Sequence, residues 1–190
     1  VYGHWRGLPP DKRPRLYLFG LSLGSVNADA ALDLYGVLAD PFDGALWVGP
    51  PFANASWRTL TAARSPGSPV WMPKFRDGST VRFAGPGLPA ERDGWGRVRI
   101  LYLQYPSDPI VFFTEDGFLH RPPLLSGSPG PGVSDRLRWI PVVTGLQLAL
   151  DMMLATNVPT GRGHVYAASD YADGWLAVMD PAGWDAAKIR

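Results

Sequence analysis

Short apolar runs alternate along the chain with segments that have helical spacing. The runs at 16–19 and 45–48 are continuous and bounded by turn residues, which is typical of strands buried on both faces of a parallel sheet. Residues 98–105, VRILYLQY, predict a further strand. Strands that alternate with helices favour an α/β fold with a mostly parallel sheet flanked by helices.

Several segments repeat apolar residues at the spacing of an amphipathic helix. Ala30, Leu34 and Leu38 fall on one face of the second segment, which we expect to be a single helix that ends before Pro41. The predicted helices cover residues 1–8, the segment between Gly24 and Pro41, 134 to about 156, and 171–179.

The third predicted helix contains the longest apolar stretch of the chain, from Trp139 to Ala155. Gln147 and Asp151 interrupt this stretch, and it is too short for a transmembrane helix. We therefore expect a packed helix, capped at its start by Ser134 or Asp135.

Between about residue 50 and residue 97 the chain is rich in Pro, Gly, Ser and Arg, and no regular core element is obvious. Aromatic side chains recur through this segment, whereas a linker would contain few of them. We expect a cap-like excursion beside a binding site, within a single catalytic domain that spans 1–190. Alternatively, the aromatic residues only pin a long loop to the body of the protein. They are Phe52, Trp57, Trp71, Phe75, Phe83 and Trp95.

The composition narrows the function classes. The 190 residues are 46% hydrophobic, enough for one domain with a core, and 18 basic and 17 acidic side chains give a formal net charge of +1. This balance of charges predicts no basic surface that could bind nucleic acid, so a small neutral or amphiphilic substrate fits better than a polyanion. The chain has no cysteine, and its 3 histidines lack the spacing of a helical metal pair. We therefore expect neither a metal nor another cofactor.

A GxSxG pattern, GLSLG from Gly20 to Gly24, lies between the first predicted strand and the helix that follows. In such a nucleophile elbow the chain reverses sharply, and small residues on either side of the serine make room for the turn. Ser22 is therefore a candidate nucleophile. The backbone N–H of Leu23 is a candidate oxyanion-hole donor at the positive end of the helix dipole. Because the chain has 22 glycines, a glycine-rich turn without chemistry is the alternative.

A serine nucleophile needs a base and an orienting acid, which in GxSxG enzymes follow in the chain order serine, acid, histidine. Asp108 follows the strand at 98–105 and would project, like Ser22, from the carboxyl end of the sheet. His164 lies in a glycine-rich loop beyond the long helix, where the base is expected. The alternatives are a turn-forming role for Asp108 and an exposed loop position for His164.

Other side chains fit this order less well. His120 follows Asp108 too closely for an intervening helix and strand, and His4 precedes the nucleophile. Arg76 and Arg162 could bind an anion, but single arginines are more often solvated or paired with an acid. The remaining candidate acids are Asp77, Asp93, Asp116 and Asp151.

Together, Ser22, Asp108 and His164 predict a serine hydrolase of the lipase or esterase type that works through an acyl-enzyme. The expected partner is a small-molecule or lipid ester, and not nucleic acid. An acyltransferase would use the same side chains and pass the acyl group to an alcohol or amine instead of water. A binding or scaffold domain without catalysis is the other alternative, since a fold does not fix a function.

Segments along nearly the whole chain resemble the catalytic domain of an actinobacterial family of membrane-anchored α/β-hydrolases. The resemblance implies an α/β-hydrolase fold in which Ser22 is the elbow serine, Asp108 the acid and His164 the base. The similar segments are RPRLYLFGLSLGS (13–25), ALWVGPPF (45–52), LYLQYPSDPIVFF (101–113), RWIPVVTGLQLALDM (138–152) and ATNVPTGRGHVY (155–166).

The resemblance also implies a longer protein. Members of this family typically carry several membrane-spanning helices before the catalytic domain, so we expect membrane association through an upstream region, with this chain itself soluble. A complete fold of this kind has strands before the nucleophile strand, and an upstream loop commonly gives a second oxyanion-hole N–H. Because only about 20 residues precede Ser22, we expect the C-terminal portion of the domain, with the Ser22 strand at an exposed sheet edge.

Overall fold

A parallel sheet forms the centre of the molecule. The computed structural model describes residues 1–32 and 34–184. Within this part of the chain the strands are β1 (Tyr17–Leu21), β2 (Gly44–Val48), β3 (Val81–Ala84) and β4 (Arg99–Leu103). All pairs are parallel, and the strand order is β1-β2-β4-β3. The predicted α/β class, a parallel sheet flanked by helices, is confirmed.

Helices connect β1 to β2 and β2 to β3, and helices cover both faces of the sheet. The helices predicted at the two ends of the chain are confirmed, with bounds shifted by a few residues. Among the described residues, no helix has the length and apolar content that crossing a membrane requires. The α-helices are α1 (Tyr2–Arg6), α2 (Leu23–Ala30), α3 (Leu34–Ala39), α4 (Ala55–Ala62), α5 (Pro109–Phe112), α6 (Val143–Leu154) and α7 (Ala168–Met179). Turns of 3-10 helix lie at Pro10–Lys12, Glu115–Phe118 and Pro123–Leu125.

Strand β2 contributes side chains to two hydrophobic clusters, one on each face of the sheet. Every residue of β2 is buried, and successive side chains point to opposite faces of the sheet. Ala45 and Trp47 join an aromatic-rich cluster that includes side chains of α4 and α5. Leu46 and Val48 pack on the other face with Ala177 of α7. The continuous apolar run in the sequence thus corresponds to a strand with protein on both sides.

Strand β1 lies at one edge of the sheet, as the sequence predicts. Within the described residues it pairs with β2 on one side only. Its side chains Phe19 and Leu21 are 48% and 42% exposed. An edge strand leaves backbone groups free to pair with a further strand.

The segment after the elbow forms two helices, α2 and α3, so the prediction of a single helix is wrong. The last turn of α2 tightens, because the N–H of Leu32 donates to the carbonyl of Asp29 at 3.1 Å. Asparagine and aspartate in this turn are weak helix formers. Ala30 and Leu38 of the predicted apolar face are exposed, and the side chain of Leu34 lies outside the described residues. Val37, which the sequence predicts beside that face, packs against the core together with Leu32.

Residues 50–97 contain α4 and β3, so the prediction that they lack regular core elements is wrong. The side chain of Asn54 caps α4 by accepting the N–H of Trp57 at 2.9 Å. Trp57 and Phe83 are buried in the core. Strand β3 has only 4 residues, which is too short to stand out from a sequence rich in proline and glycine. The cap-like role of the segment stays a prediction.

Helix α6 begins at Val143, and the prediction of a helix from residue 134 is wrong. Proline disfavours helical backbone at the residue before it, so Pro141 keeps the preceding chain out of the helix. The Ser134 hydroxyl accepts the N–H of Arg136 at 3.2 Å in a turn, and neither Ser134 nor Asp135 caps α6.

Helix α6 is packed against the body of the protein along one side only. Thr144 and Gly145 are buried, and Gly145 lies against the ring of Phe118. On other turns of the helix, Leu146 is 53% exposed and Met153 is 80% exposed. The sequence places apolar residues on all sides of this helix, but only one side of it contacts the rest of the described chain.

Candidate active site

The ends of the parallel strands bring the predicted site residues to one edge of the sheet. Leu21, Val48 and Leu103 are in register, so β1, β2 and β4 end side by side. Ser22 follows β1 directly, and its N–H donates to the carbonyl of Val48 at 2.9 Å. Asp108 comes shortly after β4, at the start of α5. The prediction that these two residues emerge at the same end of the sheet agrees with this arrangement.

Ser22 has a backbone conformation that L-residues rarely adopt. Its φ of 53° and ψ of −126° lie outside the ordinary regions, and such residues are strained by about 1–3 kcal/mol. The Ser25 N–H and hydroxyl both donate to the Ser22 carbonyl, at 2.9 Å and 2.7 Å. These bonds hold the sharp turn between β1 and α2. The hydroxyl of Ser22 therefore stands at the N-terminal end of a helix, in a half-exposed position.

Leu23, the predicted oxyanion-hole donor, is the first residue of α2. Backbone N–H groups in the first turn of a helix have no intrahelical acceptor. The N–H of Leu23 is thus a donor at the positive end of the helix dipole, next to Ser22.

The two glycines of the GLSLG pattern differ in their surroundings. A Cβ atom added to Gly20 would lie 2.5 Å from Cα of Ser25, which is backbone and cannot move aside. A Cβ atom added to Gly24 would meet no atom within 4 Å. Among the described residues, close packing of the elbow therefore requires glycine at position 20, before the serine, but not at position 24, after it.

We expect Gly20→Ala to lower the free energy of unfolding by about 1–3 kcal/mol, because the added methyl overpacks the turn. The matched control is Gly24→Ala. It should be neutral or stabilise the protein by up to about 1 kcal/mol, since alanine favours a helix more than glycine does. Urea denaturation of both variants measures the difference. Equal destabilisation by the two changes would contradict this account of the elbow.

Asp108 is completely buried, and its two carboxylate oxygens have different partners. Oδ1 accepts the N–H of Ile110 at 3.0 Å, which makes Asp108 the N-cap of α5. Oδ2 lies 2.7 Å from Nδ1 of His164. The turn-forming role considered for Asp108 is therefore present, together with the contact to the histidine.

The loop that carries His164 is fixed by several hydrogen bonds. The N–H of His164 donates to the carbonyl of Ala155 at 2.8 Å, and the N–H of Gly163 donates to the Ser107 hydroxyl at 3.1 Å. The histidine side chain is 7% exposed, so the alternative of an exposed loop histidine is wrong. Its ring packs on Gly49, where an added Cβ atom would lie 2.7 Å from Cε1. Gly49 has a φ of +55° and directly follows β2.

The other ring nitrogen of His164 has no partner. Among the described residues, Nε2 is buried and accepts or donates no hydrogen bond, and Ser22 is not bonded to it. A buried polar atom without a partner is uncommon and calls for a physical explanation. The Ser22 N–H bonds to the carbonyl of Val48 and the His164 ring packs on the next residue, Gly49, so both residues contact the chain at the end of β2.

Tyr166 is a site residue that the sequence does not reveal. Its hydroxyl donates to Asp108 Oδ2 at 2.7 Å, so Oδ2 serves both the tyrosine and His164. Burial, together with the negative charge of Asp108, raises the pKa of the Tyr166 phenol well above its usual range. The phenol is therefore protonated at neutral pH and acts as a donor. Tyr166 stands two positions after His164, just beyond the turn that carries the histidine, and no local pattern in the sequence marks it.

Tyr105 and Asp170 extend the network of contacts around Tyr166. The rings of Tyr105 and Tyr166 stack with their centroids 4.2 Å apart. The Tyr105 hydroxyl donates to Asp170 and accepts the N–H of Ala167 at 2.9 Å, and burial raises the pKa of this phenol. The N–H of Tyr105 donates to the Tyr166 hydroxyl at 3.4 Å, so a chain of hydrogen bonds runs from Asp170 in α7 to Asp108.

The remaining candidates are exposed, in contrast to the buried residues of this cluster. His4 and His120 are exposed, as are Arg76 and Arg162. No group of three or more His, Asp or Glu side chains in the described part of the chain could hold a metal ion. The candidate acids are exposed as well; they are Asp77, Asp93, Asp116 and Asp151.

The chain matches the sequence model of a known protein family. The model of the "Alpha/beta-hydrolase family" matches residues 1–190, which is the whole chain. Neither the curated proteins nor the solved structures give a significant match.

Proposed function

Because the chain belongs to the α/β-hydrolase family, we propose that it is a serine hydrolase that cleaves carboxylic esters through Ser22, His164 and Asp108. Family membership supports a hydrolase-type activity in general. The finer proposal rests on one observation: His164 bonds to buried Asp108 through Nδ1, its Nε2 is buried and unpartnered, and it contacts the same end of β2 as the strained Ser22. A histidine that is oriented by a buried acid and has its other nitrogen free supports a role as general base for a serine hydroxyl.

In the proposed reaction, His164 Nε2 takes the proton of the Ser22 hydroxyl while Oγ attacks the ester carbonyl. The negative charge that develops on the carbonyl oxygen is stabilised by the N–H of Leu23 and the dipole of α2. His164 then gives its proton to the departing alcohol, which leaves Ser22 acylated. A water molecule, deprotonated by the same nitrogen, releases the acid and restores the serine.

Asp108 acts through its contact with Nδ1 of His164. A carboxylate at 2.7 Å keeps the proton on Nδ1, so that Nε2 presents its lone pair to the serine. The same carboxylate stabilises the imidazolium that forms during the attack. Tyr166 holds Asp108 Oδ2 by donating to it, and is a positioning residue in this proposal.

We expect an active-site-directed fluorophosphonate to label the wild-type protein at Ser22, because the reagent reacts with activated serine hydroxyls. The Ser22→Ala variant should stay unlabelled, and Ser134→Ala, at an exposed turn, should label like the wild type. Mass spectrometry of the labelled peptide identifies the site. A folded wild-type protein that does not react would contradict the proposal and favour a binding domain without catalysis.

The products separate hydrolysis from acyl transfer. With an activated ester and a competing alcohol, a hydrolase yields the free acid, whereas an acyltransferase yields a new ester. We expect the free acid. Membrane association and an actinobacterial origin stay predictions from the resemblance, because the family match concerns neither of them.

A further inference from the structure

Two buried polar side chains beside the proposed triad have no part in the reaction described so far. Tyr105 is completely buried, and Asp170 is 9% exposed. The Tyr105 hydroxyl donates to Asp170 and accepts the N–H of Ala167 at 2.9 Å. Burial of a hydroxyl and a carboxylate costs free energy unless both are paired, and a fully paired buried network fixes one arrangement of the chain.

The network joins the segment that carries the proposed acid to the segment that carries the proposed base. Hydroxyl groups of the first segment, between β4 and α5, accept backbone N–H groups on both sides of the histidine. The Ser107 hydroxyl accepts the N–H of Gly163 at 3.1 Å. The Tyr105 hydroxyl accepts the N–H of Ala167. His164 therefore lies between two backbone positions that are each bonded to the segment of the acid.

Asp170 determines the direction in which the Tyr105 hydroxyl points. A phenolic hydroxyl has one hydrogen to donate and accepts through its oxygen lone pairs. Because Asp170 takes the hydrogen, the lone pairs are free for the N–H of Ala167. Asp170 is itself held in place: it lies in the first turn of α7, where the helix dipole favours a negative charge, and its Oδ1 accepts the N–H of Gly87 at 3.4 Å.

Both side chains that bond to Asp108 Oδ2 belong to the segment held in this way. They are His164, at 2.7 Å, and Tyr166, also at 2.7 Å. The ring of Tyr105 stacks on that of Tyr166, with the centroids 4.2 Å apart. Movement of this segment would therefore change both contacts of the proposed acid.

We propose that Tyr105 and Ser107 are positioning residues, which hold the histidine of the triad in contact with Asp108. Asp170 orients Tyr105 for this task. The proposal rests on the proposed function and names the residues that keep its base in place. They act through the backbone on either side of His164. Because a misplacement of about 1 Å can cost about 100-fold in rate, loosening of this segment lowers kcat and leaves the binding of the ester unchanged.

Removal of the two hydroxyl groups tests the proposal. Tyr105→Phe keeps the stacked ring, and Ser107→Ala removes the other acceptor. We expect each to lower kcat for 4-nitrophenyl acetate by about tenfold, with less than about a twofold change in KM. The matched controls are Tyr171→Phe, whose ring centroid lies 6.4 Å from that of Tyr166, and Ser134→Ala at an exposed turn. Both controls should keep the wild-type kcat and KM.

Proton NMR separates positioning from a general loss of structure. The proton on a histidine Nδ1 that is bonded to a carboxylate resonates far downfield, and its absence from His164→Ala assigns it. We expect the wild type and Tyr171→Phe to show this signal. In Tyr105→Phe and Ser107→Ala it should move upfield or be lost to exchange with water. Circular dichroism checks folding; if Tyr105→Phe does not fold, Ser107→Ala, at a half-buried position, decides the inference.

The inference requires both a fall in kcat and a change in the NMR signal in the folded variants. Either result without the other would overturn it, and so would absence of the signal from the wild type. Turnover of the ester by the wild type reports the proposed function separately. Without turnover the triad assignment fails, and the NMR comparison alone then decides whether these residues hold the histidine.

Discussion

His164→Ala is expected to lower kcat for an activated ester by about 10⁶-fold, the size of loss found when the base or the nucleophile of such a triad is removed. The reason is the position of Nε2, which is buried, unpartnered and held by the Nδ1 contact to Asp108. No other histidine of the described chain lies in this cluster, since His4 and His120 are exposed. Without the imidazole, the Ser22 hydroxyl keeps its proton and is a weak nucleophile.

The comparison of single and double variants makes this prediction sharper. Because Ser22 and His164 act as a unit, the Ser22→Ala/His164→Ala variant should be no slower than either single variant. His120→Ala is the matched control and should retain the wild-type rate. Steady-state kinetics with active-site titration measures all of them. Loss of activity in His120→Ala, or its retention in His164→Ala, would contradict the assignment of the base.

The parts of the site that could be predicted from sequence are those with a local pattern. Ser22 stands between an apolar run and a helical segment, and Asp108 follows a strong strand, so both could be assigned to the carboxyl end of the sheet. His164 could be assigned from chain order and from its glycine-rich loop. For Ser22 and Asp108 the signal lies within a few residues of the side chain, and for His164 the rule of chain order adds to such a local signal.

Tyr166 could not be found in this way, because no motif or rule of chain order marks it and its role depends on a contact with Asp108, 58 residues away in the chain. The same limit applies to β3, whose 4 residues are defined by pairing with β4 rather than by a pattern of their own. Helix α6 shows the opposite error. Its apolar composition predicts a packed helix, but burial depends on what lies opposite each side, and only the side with Thr144 and Gly145 is buried among the described residues.

Asp108→Asn is expected to lower kcat by about 10⁴-fold while the protein stays folded. Asp108 accepts from three donors: the N–H of Ile110 on Oδ1, and both the Tyr166 hydroxyl and His164 Nδ1 on Oδ2. An asparagine side chain has only one acceptor oxygen. If that oxygen stays with Ile110, the new NH₂ group faces the histidine and favours the tautomer with the proton on Nε2. That tautomer cannot accept the proton of Ser22.

The opposite orientation of the asparagine also has a cost. The amide oxygen then meets Tyr166 and His164, but the NH₂ group faces the N–H of Ile110, and the cap of α5 is lost. We expect this to destabilise the protein by about 1 kcal/mol, the usual cost of a lost N-cap. The two orientations therefore predict different results: loss of rate with little change in stability, or loss of stability with the tautomer kept.

Nitrogen-15 NMR of the histidine ring in Asp108→Asn distinguishes these orientations, because the chemical shifts report which nitrogen carries the proton. We expect the proton on Nε2. The cap and the buried Tyr166 phenol compete for the one amide oxygen, and we expect the cap to keep it, because its donor is the backbone N–H of Ile110, only two residues away in the chain. Asp116→Asn, at an exposed position, is the control and should keep the wild-type rate and tautomer. A wild-type rate in Asp108→Asn would show that the carboxylate is only a cap of α5, and the proposed triad would lose its acid.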